Sequence, residues 1–230
     1  AALSGDAIAN NKTVAEVIKD EKDRYGRIKA NAQKYSNGDV AAIDQKIAEF
    51  TPLLDSLLSV ADKAGKRAIQ KDLMAKMLAF EGTLPFGQWI TEIALTRVKD
   101  PNANFCKITG AGANVACASF TSTTLWDAGV PNAIVGTTTA LWSNKSLRIV
   151  IDRAPTASNS RINESVMRAG DVVWFGHGDE GRKRYAGALF DHVGIYIGKG
   201  EIVDSSGDLV IKRRPLTTHS FNGAKRYGKD

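Results

Sequence analysis

Apolar residues recur at helical spacing through the first third of the chain. Val14, Val17, Ile18, Tyr25 and Ile28 share one face between charged positions such as Lys19 and Asp23, which predicts a helix over 12–35. Ser36-Asn37-Gly38-Asp39 interrupts it. Ile43, Ile47 and Phe50 predict a second helix from Val40 to Phe50. Thr51-Pro52 then restarts a helix with proline in its first turn, and Leu53, Leu54, Leu57, Leu58 and Val60 carry the pattern on to about Leu78. Residues 1–80 therefore read as helical hairpins. Their amphipathic faces must pack on each other, on the downstream domain, or on a partner.

The pattern changes after residue 80. Glu81 to Gly87 is a turn, Gln88 to Val98 a short helix, and Pro101 to Gly112 a loop. A helix then begins at or just before Cys117, because Cys117, Phe120, Thr124, Leu125 and Ala128 fall on one helical face. Asn114 is its candidate N-cap, and Gly129 followed by Pro131 is its stop. Thr138 to Leu147 reads as a helix or an irregular segment. From Arg148 short apolar runs bounded by glycine take over: Arg148–Asp152, Val172–Phe175, His192–Ile197, Glu201–Ser205 and Leu209–Ile211, with Gly198-Lys199-Gly200 as a hairpin turn. Helices followed by hairpin-connected strands predict an α+β fold with an antiparallel sheet. Two regions are expected, a helical one over 1–80 and an α+β domain over 81–230.

Composition narrows the function classes. With 43% hydrophobic and 24% charged residues an ordinary folded core is expected. No apolar run approaches the ~18 residues of a membrane span. The net charge of +6 suits an anionic partner such as a cell-wall polymer and falls short of a nucleic-acid footprint. Lys212-Arg213-Arg214 and Lys225-Arg226 read as solvated surface, and Trp126, Trp142 and Trp174 as core. Ala1 in place of methionine reads as a processed or trimmed chain, and no signal peptide is visible.

The chemistry centres on Cys117. A thiol in the first turn of a helix sits at the positive end of the macrodipole, which favours the thiolate. Two bland readings compete: a small buried hydrophobe, and a disulfide to Cys106. Thiol catalysis needs an imidazole to exchange the proton and a polar group to hold that imidazole. His192 opens a strand, where its ring can face a helix tip packed on the sheet, and Asp204 lies on the next strand. His177 sits in a charged loop and reads as solvated. His219 has no evident partner. Three histidines and two cysteines show no zinc spacing, so no metal and no cofactor is expected.

Three stretches, Ala116-Cys117-Ala118-Ser119-Phe120, Ala169-Gly170-Asp171-Val172-Val173-Trp174-Phe175 and Asp191-His192-Val193-Gly194-Ile195-Tyr196-Ile197-Gly198, resemble in order and spacing the NlpC-type and CHAP-type cell-wall hydrolases. These are papain-like cysteine peptidases or amidases. The resemblance covers about residues 80–211 and leaves 1–80 outside. It implies Cys117 as nucleophile, His192 as general base and later acid, and a third polar residue at Asp204, with Ser205 and Ser206 as alternatives. The family more often has histidine, asparagine or glutamine there. It also implies a tyrosine before the cysteine that assists the oxyanion, where this chain has Phe86. The Cys117 N–H and Gln88 are the substitutes, and the long gap to Cys117 implies an insertion around Cys106. The expected activity is cleavage of amide bonds in peptidoglycan stem peptides, in an extracytoplasmic setting, with residues 1–80 open to a protein partner. The alternatives are a non-catalytic docking component of a phage tail or secretion apparatus, and an acyltransferase or toxin acting on another amide.

Overall fold

The computed structural model describes residues 13–35, 38–100, 116–176, 190–205 and 210–228. Cα packing divides the chain into two compact units, one running up to Pro85 and one spanning Phe86–Tyr227.

Among the described residues the first unit holds three helices, α1 (Val14–Tyr35), α2 (Val40–Ser59) and α3 (Lys63–Glu81). Helix α1 starts in a capping box. Glu16 N–H donates to Thr13 Oγ1 (3.2 Å), and Glu16 Oε2 accepts in return from Thr13 N–H (2.6 Å). Asp39 caps α2 by accepting from Ala42 N–H. The predicted restart at Pro52 does not occur: α2 runs unbroken through that proline and ends at Ser59. The break comes instead at 60–62, where Asp62 accepts from Gly65 N–H and starts α3. Ile28, Ile43, Phe50, Leu54, Leu57, Leu73 and Met77 form the core. Among them Arg24 is buried with two carboxylates, Glu21 (2.7 Å) and Glu81 (2.5 Å), and Tyr25 O–H donates to Glu81 at 2.9 Å. Burial and the Glu81 charge raise the Tyr25 phenol far above its ordinary range.

The second unit has helices α4 (Phe86–Lys99), α5 (Ala116–Ala128) and α6 (Thr138–Trp142) with a six-stranded sheet. Its strands are β1 (Arg148–Ile151), β2 (Val172–Phe175), β3 (His192–Gly198), β4 (Glu201–Ser205), β5 (Ile211–Pro215) and β6 (Phe221–Arg226), in the order β1-β6-β2-β3-β4-β5, every pair antiparallel. This is the predicted α+β class. The sequence pattern left out β6, which lies between β1 and β2. Its register slips beside Asn222, a bulge at the end of the sheet that carries His192. Val173, Phe175, Tyr196, Ile202, Phe221 and Ala224 line one face and pack with Met167 and Leu216. Helix α5 packs against α4, β3 and β4. It is buried on every side from Ala116 to Leu125, not on the one face its spacing predicts.

The Gly170-Asp171 turn is a structural joint. Gly170 has φ +94°, and a Cβ there would lie 2.4 Å from the Gly87 backbone at the start of α4. Asp171 is fully buried. It accepts from Arg226 Nε (2.6 Å) and Nη2 (2.9 Å) and from Arg168 N–H (2.9 Å). The basic clusters read as solvated are therefore partly internal. Lys225 and Arg226 are buried, and Arg214 bonds a buried carboxylate described below. Among the described residues no helix is long and apolar enough to cross a membrane.

Candidate active site

Cys117 is the second residue of α5, where backbone N–H groups have no intrahelical partner. It is buried and carries a free thiol, so the bridge to Cys106 is not formed; Cys106 itself lies outside the described residues, as does Asn114. His192 is the first residue of β3, directly opposite Phe175 on β2. Asp204 lies on β4 beside Gly194, with no exposed surface; a Cβ on Gly194 would come within 3.2 Å of the Asp204 Cβ.

The structure brings these three side chains together. His192 Nε2 and Asp204 Oδ2 are 2.8 Å apart. An ionised carboxylate can only accept, so Nε2 is the protonated nitrogen in this bond. Nδ1 is then the nitrogen that serves the thiol. Burial alone would favour loss of the His192 proton. Hydrogen bonds to Asp204 and to Cys117, together with the charges of both, outweigh burial and push the imidazole up to about 9. For Asp204 burial also opposes the charged form. The His192 hydrogen bond, the nearby His219 ring and the charges of His192 and Arg214 outweigh it and hold the carboxyl well below its ordinary 3.8.

Two residues join that the sequence reading did not place. Arg214 on β5 donates Nε–H to Asp204 Oδ1 at 2.9 Å, so the two carboxylate oxygens have different partners. His219, just before β6, has its Nε2 3.4 Å from Asp204 Oδ2. That approach lacks hydrogen-bond alignment, and the nitrogen has no hydrogen-bond partner. The His192 and His219 rings lie 4.3 Å apart, and Phe175 sits 5.9 and 5.4 Å from them. His219 carried no sequence signal, because the strand it precedes does not show in the pattern along the chain.

Ser205 is buried with its Oγ unbonded, whereas Asp204 holds the imidazole. Ser206 and His177 lie outside the described residues. Gln88 is exposed in the first turn of α4 and makes no hydrogen bond to the other three.

The family model described as the NlpC/P60 family matches residues 109–225, just over half the chain. A crystal structure at 1.79 Å of an NlpC/P60 family protein from Bacillus cereus ATCC 10987 is similar at 24% identity and a TM-score of 0.32, over 48% of this chain and 31% of that one. The chain thus spans about a third of that protein's length. No curated protein matches the sequence. The family match takes in Cys117, His192 and Asp204 alike, and the chain belongs to the NlpC/P60 family, whose members are in general cysteine peptidases and hydrolases acting on peptidoglycan.

Proposed function

We propose that the protein is a cysteine hydrolase that cleaves amide bonds in peptidoglycan stem peptides, in an extracytoplasmic setting, through an acyl-enzyme. The observation that carries this reading is the His192 ring, bonded to buried Asp204 on one side and interacting with the Cys117 thiol on the other. His192 takes the Cys117 proton, which leaves a thiolate beside an imidazolium. The sulfur attacks the scissile carbonyl carbon, forming a C–S bond, and the π electrons move onto oxygen. The Cys117 backbone N–H at the helix tip stabilises that oxyanion, with Gln88 as a candidate second donor. Collapse breaks the C–N bond, and the proton of His192 passes to the departing amine. Water then gives its proton to His192 and attacks the thioester, releasing a carboxylic acid and restoring the ion pair.

Cys117→Ala should abolish lysis of purified cell walls while leaving the far-UV spectrum unchanged. Lysis at the wild-type rate in that variant would overturn the reading. Mass spectrometry of the released muropeptides identifies the bond cut.

A further inference from the structure

We propose that His192, Asp204 and His219 form a binding site for one transition-metal ion of the Zn2+ class, and that the bound ion blocks the thiol chemistry. One ligand atom from each of the three lies within 4.8 Å of the others. Zinc bonds of 2.0–2.1 Å in a tetrahedron set ligand atoms about 3.3 Å apart. The Asp204–His219 separation is already 3.4 Å, and the Asp204–His192 separation of 2.8 Å has to open by about half an ångström.

The donor set selects the metal. Two imidazoles and one carboxylate suit Zn2+ and its neighbours Ni2+ and Cu2+, whereas Mg2+ and Ca2+ require mainly oxygen ligands. Three protein ligands leave a fourth position for water. A second observation points the same way: Nε2 of His219 is buried without a hydrogen-bond partner and faces the cluster. The His219 side chain is 28% exposed against 12% for His192 and none for Asp204, so entry is past His219. An outer contact is in place as well: Arg214 holds the other Asp204 oxygen. The Arg214 charge also repels a dication and so weakens its binding.

Metal at Nε2 displaces the proton that His192 donates to Asp204, so the metal-bound and imidazolium states exclude each other. This blocking half rests on the hydrolase reading; the binding half does not. The three residues lie on or beside three different strands, and for that reason no zinc spacing shows along the chain.

Calorimetric titration of the full chain with Zn2+, without substrate, tests the site. The background is Cys106→Ser with His177→Ala, which removes the other thiol and the other imidazole. One ion per chain is expected, with at least about tenfold weaker binding in His219→Ala. His219→Gln, which fills more of the space without an imidazole, should show the same loss. Zinc should raise the unfolding midpoint of the background protein and not that of either His219 variant. Cys117→Ala should bind as the background does. Equal affinity with and without His219, or loss of binding in Cys117→Ala, overturns the proposal. Zinc should also stop cell-wall lysis, with chelator restoring it. Intact zinc binding in a wild-type protein that never lyses walls would instead sink the hydrolase reading and leave the site standing.

Discussion

Two buried aspartates stand at opposite ends of one short strand pair. Asp171 precedes β2 at the level of Tyr196, and Asp204 lies near the far end, where His192 faces Phe175. Both are fully buried, and both are hydrogen-bonded at each oxygen. Asp171 is held by a guanidinium and a backbone N–H, neither of which gains or loses a proton in the working range of a protein. Asp204 is held by a guanidinium on one oxygen and an imidazole on the other. Burial and full pairing are therefore shared. What distinguishes a structural carboxylate from a chemical one is whether a partner can titrate.

The sharpest way to break this contrast is at the thiol that only one end possesses. Cys117→Ala should cost about 10³-fold or more in cell-wall lysis, measured as turbidity loss, with the unfolding midpoint nearly unmoved. Next comes the structural end. Asp171→Ala leaves Arg226 as an uncompensated buried charge, and denaturant unfolding should register a loss of about 3–5 kcal/mol. The pH profile of whatever folded enzyme remains should match wild type; a shifted profile would erase the distinction between the two carboxylates.

Asp204→Asn should do the reverse. The alkaline limb of activity, set in the wild type by His192 losing its proton near pH 9, should move down toward the ordinary imidazole value of 6.5. The same linkage appears in stability. A raised imidazole pKa contributes stabilisation that is complete below pH 6.5 and is lost as pH rises through 9, so wild-type unfolding free energy should decline across that window and Asp204→Asn should flatten the decline. The depressed Asp204 carboxyl contributes stabilisation that is present above 3.8 and is lost as pH falls below it. The smallest effect belongs to an exposed pair on the neighbouring strands β4 and β5, Glu201 with Arg213. Arg213→Ala should leave stability almost unchanged, and any difference should shrink further at high salt.

The legible parts of the fold were those where pattern and punctuation agree. Strands β2, β3 and β4 are apolar runs closed by glycine turns, and α5 ends at Gly129, whose φ is +91°. Strand β6 reads Phe-Asn-Gly-Ala-Lys-Arg, with neither an apolar run nor alternation. It is a central strand only because Lys225 reaches the Trp142 carbonyl and Arg226 reaches Asp171. Pro52 misled because a proline that usually opens a helix can also sit inside one when the apolar residues around it are buried on both sides of the break it threatens. At the site, Cys117, His192 and Asp204 could be named because each opens or sits on an identifiable element. Arg214 and His219 could not, since their closeness to Asp204 is cross-strand and no spacing along the chain encodes it.

The all-round burial of α5 has a mechanical corollary. Ser122 Oγ donates to the Val135 carbonyl, and Arg97 grips Thr124 from the neighbouring helix. A helix with a greasy stripe can slide or roll a few degrees at little cost. One keyed by hydroxyls on several sides cannot, because any rotation strands a buried polar group at about 1–3 kcal/mol each. Sulfur at the tip of such a shaft keeps its aim with no help from the ring it serves, so exchanging the imidazole side of the pair should leave the nucleophile where it stands.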